Sequence, residues 1–133
     1  AYGKAFYSKD GDFVSQKRQS TAYVDRDEKV DKRQYHIMVF NNNTGGRNSF
    51  YYKYLVNEEK MTYSLENAME LPYSADNGNT SLSQGYLITA SSSDGSFEEY
   101  NPDGYKLASF TFKGGKKAYR VFKHSMKGSW FTK

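Results

Sequence analysis

The chain alternates hydrophobic and polar residues over short runs that end in Gly, Asn, Asp or Pro, a pattern typical of β-strands and tight turns. No stretch of a dozen residues combines helical periodicity with capping residues. The clearest strand runs from Gln34 to Asn41 and carries apolar side chains on both faces. We therefore expect it to be central in its sheet and buried on both sides.

Turn chemistry predicts hairpins around this strand. The Asn-rich run Asn41–Gly46 connects it to a strand over Ser49–Val56, and Asp10-Gly11, Asn101–Gly104 and Gly114-Gly115 are further hairpin turns. The other predicted strands are Tyr2–Ser8, Phe13–Asp25, Met61–Leu65, Ser81–Ser91, Phe97–Tyr100, Tyr105–Lys113, Lys116–His124 and Ser129–Thr132. Residues 66–80 form the longest irregular stretch, with room for a short helix near residues 65–71.

Eight to ten strands at this spacing predict an all-β fold, most simply an antiparallel β-sandwich, with a small closed β-barrel as the alternative. Phe110 and Phe112 are expected to point inward from their strand. The length of 133 residues fits one domain, residues 1–133. Because the chain has 13 Tyr and few aliphatic residues, its core should be aromatic and amphipathic.

Charge is unevenly distributed along the chain. Residues 1–57 carry +4, residues 58–103 carry −8 and residues 104–133 carry +8, for the net charge of +4. One interpretation is that a basic C-terminal hairpin lies beside the acidic middle segment and neutralises it. The other is a basic patch for an anionic partner, formed by Lys113, Lys116, Lys117, Arg120, Lys123, Lys127 and Lys133.

Cysteine usage and the apolar pattern suggest a compartment. With no Cys the chain has no disulfide, thiol nucleophile, iron–sulfur site or cysteine zinc site. No apolar run approaches the roughly 18 residues that span a bilayer. The sequence starts at Ala1 without an initiator Met, which suggests cleavage behind a small residue. We expect a secreted, bacterial extracellular protein.

Catalytic chemistry has few candidates. An enzyme would use the only two histidines, His36 and His124, with Arg120 on a phosphate and Glu58 nearby, as in a small secreted ribonuclease, and Tyr35 could assist. No local motif joins these residues. The sequence contains no metal-ligand spacing, no glycine-rich phosphate loop and no G-x-S-x-G, so we expect no metal and no cofactor.

Binding is the leading interpretation. Tyr and Trp can stack on sugar faces, so Tyr51, Tyr54 and Trp130 are candidates for a glycan. Tyr51, Tyr52 and Tyr54 alternate between the two faces of one strand, so at least one is expected at the surface. For an anionic envelope surface the candidates are Lys116, Lys117, Arg120 and Lys123. Nucleic acid is a weaker alternative partner.

Two short runs, Val39–Gly45 and Ser49–Tyr52, are faintly similar to pieces of lactococcin-type β-sandwich bacteriocins. The similarity covers about a dozen residues that any Asn-turn hairpin would contain, so it identifies no family. It would imply a secreted antibacterial protein acting at the cell envelope. An antibacterial or host-directed toxin is therefore the first alternative to a binding domain, and the ribonuclease is the second.

Overall fold

The structure, a computed structural model, describes residues 6–9, 14–26 and 30–124. These residues contain nine β-strands and one short 3-10 turn over Lys113–Gly115. The strands are β1 (Tyr7–Ser8), β2 (Gln19–Asp25), β3 (Gln34–Asn41), β4 (Ser49–Asn57), β5 (Thr62–Leu71), β6 (Asn79–Ser83), β7 (Tyr86–Ser91), β8 (Ser96–Tyr100) and β9 (Lys106–Thr111).

The strands form two sheets packed against each other, which confirms the β-sandwich and excludes a closed barrel. Sheet A has the order β1-β5-β4-β3-β2, and sheet B has the order β6-β7-β8-β9. All pairings are antiparallel except β1 with β5. As predicted, β3 lies between two neighbours and is joined to β4 by the Asn-rich turn.

Sheet A needs a connection that crosses one of its faces, because β1 and β2 lie at opposite edges. The N-terminal crossing segment, residues 14–18, makes this connection on the face turned away from sheet B. Val14 packs there on the apolar cluster of Val39, Tyr52 and Tyr54, and the Lys17 amide donates to Asn41 Oδ1 at 2.9 Å. The predicted hairpin between Tyr2–Ser8 and Phe13–Asp25 is therefore wrong, because β1 pairs with β5 and β2 with β3.

Sheet B is crossed in the same way after its last strand. The C-terminal crossing segment, residues 116–124, leaves the edge strand β9, passes over Gly95 and continues along β6 at the opposite edge. The Lys116 carbonyl oxygen occupies the space of a Cβ on Gly95, and Ser81 Oγ donates to the Val121 carbonyl at 3.2 Å. The predicted strand over Lys116–His124 is therefore wrong. Its turn has positive φ at both Gly114 and Gly115, and the chain leaves the sheet instead of pairing with it.

The core lies between the sheets and is aromatic, as expected. Its buried apolar members are Met38, Phe40, Tyr51, Leu71, Leu87 and Tyr100. Phe40 is fully buried, and its ring fills the position that a Cβ on Gly78 would take. A glycine is thus required where the chain enters β6, because any side chain there would displace the ring.

The orientation of β8 reverses the predicted placement of the phenylalanines in β9. Ser96, Glu98 and Tyr100 face sheet A, so Phe97 and its partner Phe110 face outward. The buried Glu98 carboxylate accepts hydrogen bonds from Tyr100 Oη and, at 2.9 Å, from Lys106 Nζ, which offsets the cost of its burial. Phe110 and Phe112 are 48% and 39% exposed and contact Phe97, with ring centroids 4.5 and 5.7 Å apart.

Two other segments differ from the predictions. Residues 81–91 form parts of two strands rather than one, because Gln84 and Gly85 both adopt positive φ (53° and 82°) and make a tight hairpin turn. Residues 65–71 belong to β5 rather than to a helix. The register shifts between Lys53 and Tyr54 of β4, so Glu66 of β5 is an extra residue without a cross-strand partner. This bulge breaks the period-two pattern of β5. The predicted strands over residues 2–5 and 129–132 lie outside the described residues.

Candidate functional site

The inter-edge cleft is a groove of about 370 Å³ on the side of the sandwich where the edge strands β2 and β6 approach each other. Its walls come from three parts of the chain: β2, β6 and the C-terminal crossing segment. The lining residues are Ser20, Thr21, Ala22, Tyr23, Asn79, Thr80, Ser81, Leu82, Arg120 and Phe122. A smaller recess of about 20 Å³ extends it past Arg120 towards Tyr119 and Gly78.

Three residues that line this cleft each carry a buried side-chain atom with no hydrogen-bond partner among the described residues: Asn79 Nδ2, Thr80 Oγ1 and Tyr23 Oη. Only four such atoms occur in the described part of the chain. Asn79 and Thr80 are each only 2% exposed, and the Tyr23 hydroxyl lies beside the Leu82 backbone, whose interaction lowers the pKa of Tyr23 against the rise that burial causes. Since buried polar groups are normally paired, this concentration distinguishes the cleft from the rest of the described structure and makes it the candidate binding site.

The Tyr23 hydroxyl stays protonated at neutral pH. Burial raises the pKa of Tyr23 above its ordinary value, and the nearby negative charge of Asp25 raises it further. Tyr23 therefore supplies a hydroxyl, Thr80 a second hydroxyl and Asn79 an amide donor. Together these groups can both donate to and accept from a ligand's hydroxyl groups.

Arg120 and Phe122 line the mouth of the cleft. Phe122 is 56% exposed, and Arg120 stacks over the Tyr119 ring with its guanidinium 5.3 Å from the ring centroid. Arg120 has no ion pair with any described residue, so its charge is available to an anion. Among the predicted anion-contact residues that the structure describes, only Arg120 lines this cleft.

A network of asparagine and hydroxyl side chains fixes the floor of the cleft. Ser20 and Thr21 donate from their hydroxyls to the Gly78 carbonyl. Asn42 Oδ1 accepts from the Gly78 amide at 2.9 Å, and Asn42 Nδ2 donates to the Arg18 carbonyl and to Ser20 Oγ. The Asn-rich turn thus does more than reverse the chain, because its buried Asn42 ties the start of β2 to the start of β6.

The remaining predicted cations divide into two groups. Lys123 is held by an ion pair with Glu99 and lies over the Tyr86 ring at 4.6 Å, so it anchors the crossing segment to sheet B. Lys113, Lys116 and Lys117 are exposed and make no ion pair with described residues. Neutralisation by the acidic middle segment therefore applies to Lys123, and to Lys106 through Glu98, but not to these three. Lys127 and Lys133 lie outside the described residues.

The predicted stacking tyrosines are not at the surface. Tyr51 is 3% exposed in the core, and Tyr52 and Tyr54 are 5% and 7% exposed on the other face. The expectation that one of them is exposed is wrong, because the N-terminal crossing segment covers the face that alternation alone leaves open. Trp130 lies outside the described residues.

Of the candidate catalytic residues in the described part of the chain, Tyr35 forms a hydrogen bond with Glu58, but no ion pair joins His36, His124 or Arg120 to another candidate. His36 is 5% exposed on the face of sheet A that meets sheet B, where Nε2 lies 3.0 Å from Glu66 Oε2. Glu58 lies in an exposed turn 4.0 Å from Arg26. His124 is exposed beside Phe122 at the end of the crossing segment over sheet B.

Sequence reasoning missed the residues that β2 and β6 contribute to the cleft. Asn79, Thr80 and Tyr23 come from segments 56 or more positions apart, and only the packing of two sheets brings them together. The described residues contain no cluster of three or more His, Asp or Glu side chains able to hold a metal ion. Within the same residues, no helix is long and apolar enough to cross a membrane.

Comparison of the chain with protein-family models, with curated proteins and with solved structures gives no match.

Proposed function

We propose that this domain is a secreted binding module for an anionic glycan of a cell envelope, which it holds in the inter-edge cleft. The observation that carries the proposal is the set of unpartnered polar atoms of Asn79, Thr80 and Tyr23 beside the free guanidinium of Arg120. These atoms lack hydrogen-bond partners within the described part of the chain. A sugar presents several closely spaced hydroxyl groups, each of which can donate and accept a hydrogen bond.

The aromatic side chain at the mouth supports a sugar rather than a simple anion. Phe122 offers an exposed ring on which the C–H face of a pyranose can stack, next to the polar groups of the cleft. A bare phosphate or sulfate ion would use Arg120 but would leave Phe122 and the buried hydroxyls without a role.

Long-range electrostatics favours an acidic polymer. Residues 104–133 contain eight basic residues and no acidic one. Lys113 lies exposed just before the C-terminal crossing segment, and Lys116 and Lys117 lie exposed at its start. These cations attract a polyanion from a distance and lose this effect as salt rises. Lys113, Lys116 and Lys117 therefore raise the association rate, while Arg120 makes the direct contact.

An array of oligosaccharides bearing carboxylate, sulfate or phosphate, each beside its neutral parent, tests the ligand class, with polyphosphate as a polyanion without sugar. We expect an acidic oligosaccharide to bind more tightly than both its neutral parent and polyphosphate. Arg120→Gln should weaken that binding by about tenfold or more, since it removes a charge-assisted contact. Polyphosphate binding as tightly as the best glycan would contradict the proposal.

Thr80→Val separates binding from folding. Because Thr80 Oγ1 has no partner among the described residues, its replacement by an isosteric methyl should leave the free energy of unfolding unchanged or raise it by about 1 kcal/mol. Binding of the best acidic oligosaccharide should nevertheless weaken by about tenfold. Thr89→Val is the matched control, because Thr89 is the buried cross-strand partner of Thr80 and does not line the cleft. Equal binding by the two variants would exclude the cleft.

A further inference from the structure

A second cleft lies on the outer face of sheet A, the face that the N-terminal crossing segment crosses. It has a volume of about 280 Å³, about twice that of a cavity known to hold benzene in another protein. Its lining residues are Phe6, Gln16, Tyr35, Ile37, Val39, Tyr54, Val56 and Tyr63. None of these described residues is charged, so its chemistry is the opposite of that of the inter-edge cleft.

One polar atom in this apolar cleft lacks a partner. Gln16 Oε1 is buried and accepts no hydrogen bond from any described residue. The hydrogen bonds of the amide nitrogen fix the orientation of the Gln16 side-chain amide. Gln16 Nε2 donates to the Val14 carbonyl at 2.9 Å and to Tyr54 Oη at 3.4 Å. A flipped amide would lose the bond to Val14, so the acceptor stays on the side where no protein group donates to it.

We propose that this apolar cleft binds a small, uncharged, largely apolar molecule of about two fused rings that carries one hydrogen-bond donor, which Gln16 Oε1 accepts. The aliphatic side chains of Ile37, Val39 and Val56 supply the apolar contact. A charged ligand is disfavoured, because no described charged side chain in the cleft would compensate its desolvation. The site is independent of the proposed glycan site, since it lies on the outer face of sheet A and shares no lining residue with the inter-edge cleft.

The matched probes 2-naphthol and 2-methoxynaphthalene test the proposal, because they have the same ring system and only the first has a donor. Methyl NMR of the whole chain should show that 2-naphthol shifts the resonances of Ile37, Val39 and Val56. Calorimetry should show that 2-naphthol binds about fivefold more tightly than 2-methoxynaphthalene. This ratio corresponds to the free energy of one ordinary hydrogen bond. Absence of shifts at these methyl groups would overturn the proposal.

Gln16→Leu tests the role of the orphaned acceptor. This variant should weaken 2-naphthol binding by about fivefold and leave binding of 2-methoxynaphthalene equal or tighter, so that the preference disappears. An unchanged preference would refute the assignment of Gln16. Ile37→Trp should fill the cleft and abolish binding of both probes. Val24→Trp is its control, since Val24 is the cross-strand neighbour of Ile37 on the same face, is 52% exposed and does not line the cleft.

Discussion

The two crossing segments solve the same topological problem with different chemistry. Each returns the chain from one edge of its sheet to the other across the outer face. The N-terminal crossing segment adds apolar contact to its hydrogen bonds, with Val14 on Val39, Tyr52 and Tyr54. The C-terminal crossing segment is held by polar contacts, a hydrogen bond from Ser81 to the Val121 carbonyl and the pairing of Lys123 with Glu99.

This difference separates stability from recognition. An apolar crossing segment extends the hydrophobic core by a second layer and buries the tyrosines beneath it. The C-terminal crossing segment leaves its own aromatic and cationic side chains in solvent. Tyr119 and Phe122 are 65% and 56% exposed, and Arg120 lines the inter-edge cleft without an ion pair to any described residue.

The largest expected effect is at the core on which both segments depend. Gly78→Ala should destabilise the protein by about 3 kcal/mol, because the new methyl group would occupy the space of the buried Phe40 ring. Chemical denaturation measures the change. Gly45→Ala is a control for the loss of a glycine, since a Cβ there meets no atom within 4 Å, although its positive φ of 87° adds a smaller strain. Equal losses in the two variants would contradict the packing account.

Alkaline pH should destabilise the inter-sheet core next most strongly. Burial raises the pKa of Tyr23, Tyr51 and Tyr100 above the ordinary value of 10. Above pH 10 the unfolded chain therefore releases these protons while the folded chain retains them, so the free energy of unfolding falls as pH rises. Each tyrosine contributes up to about 1.4 kcal/mol per pH unit. Between pH 10 and 12, the free energy of unfolding of Tyr51→Phe should fall less steeply with pH than that of the wild type, as measured by chemical denaturation. An identical slope would contradict the prediction.

A matched pair of valines compares the two crossing segments directly. Val14 and Val121 are both half-buried, but only Val14 packs on an apolar cluster. Val14→Ala should reduce the free energy of unfolding by about 1 kcal/mol, and Val121→Ala by only about 0.3 kcal/mol. Thermal or chemical denaturation of both variants gives the comparison. Equal losses would mean that the two segments are stabilised in the same way.

The smallest effect concerns the ionic anchor of the C-terminal crossing segment. A double-mutant cycle of Lys123→Gln and Glu99→Gln should give a coupling energy of about 0.5 kcal/mol that decreases in high salt, as for other partly exposed ion pairs. Hydrogen exchange near Val121 should become faster in either variant. A salt-independent coupling would show that the stacking of Lys123 on Tyr86, rather than the ion pair, holds the segment.

Local patterns correctly predicted strands in which the alternation of apolar residues and the flanking turn residues indicate the same boundaries. Examples are β3, β4 and β8, which is followed by a Pro-Asp-Gly turn. Local patterns failed where the decisive interaction is remote in sequence. The Gln84-Gly85 turn lacks the usual Asn or Asp at its first position, and the bulge at Glu66 breaks the alternation of β5. The outward placement of Phe110 follows from the burial of Glu98, which depends on its pairing with Tyr100 and Lys106.

The candidate site was predictable only in its charge. The cation-rich C-terminal region and Arg120 were visible in the sequence, because charge segregation needs no knowledge of packing. The polar groups of the cleft were not, because Tyr23, Asn79 and Thr80 look like ordinary edge-strand residues until two sheets bring their unpaired atoms together. Tyr54 was misplaced for the converse reason, since no local signal indicates that a remote segment covers its face.

The most direct test of the central claim is the footprint of an acidic oligosaccharide on the whole chain, measured by NMR shift perturbation. Our account predicts that the strongest perturbations occur at Thr80, Arg120 and Phe122, with weak ones at Phe97 and Phe110 on the exposed half of sheet B. Perturbations centred on Phe97 and Phe110, or spread evenly over the lysines without Thr80, would contradict it.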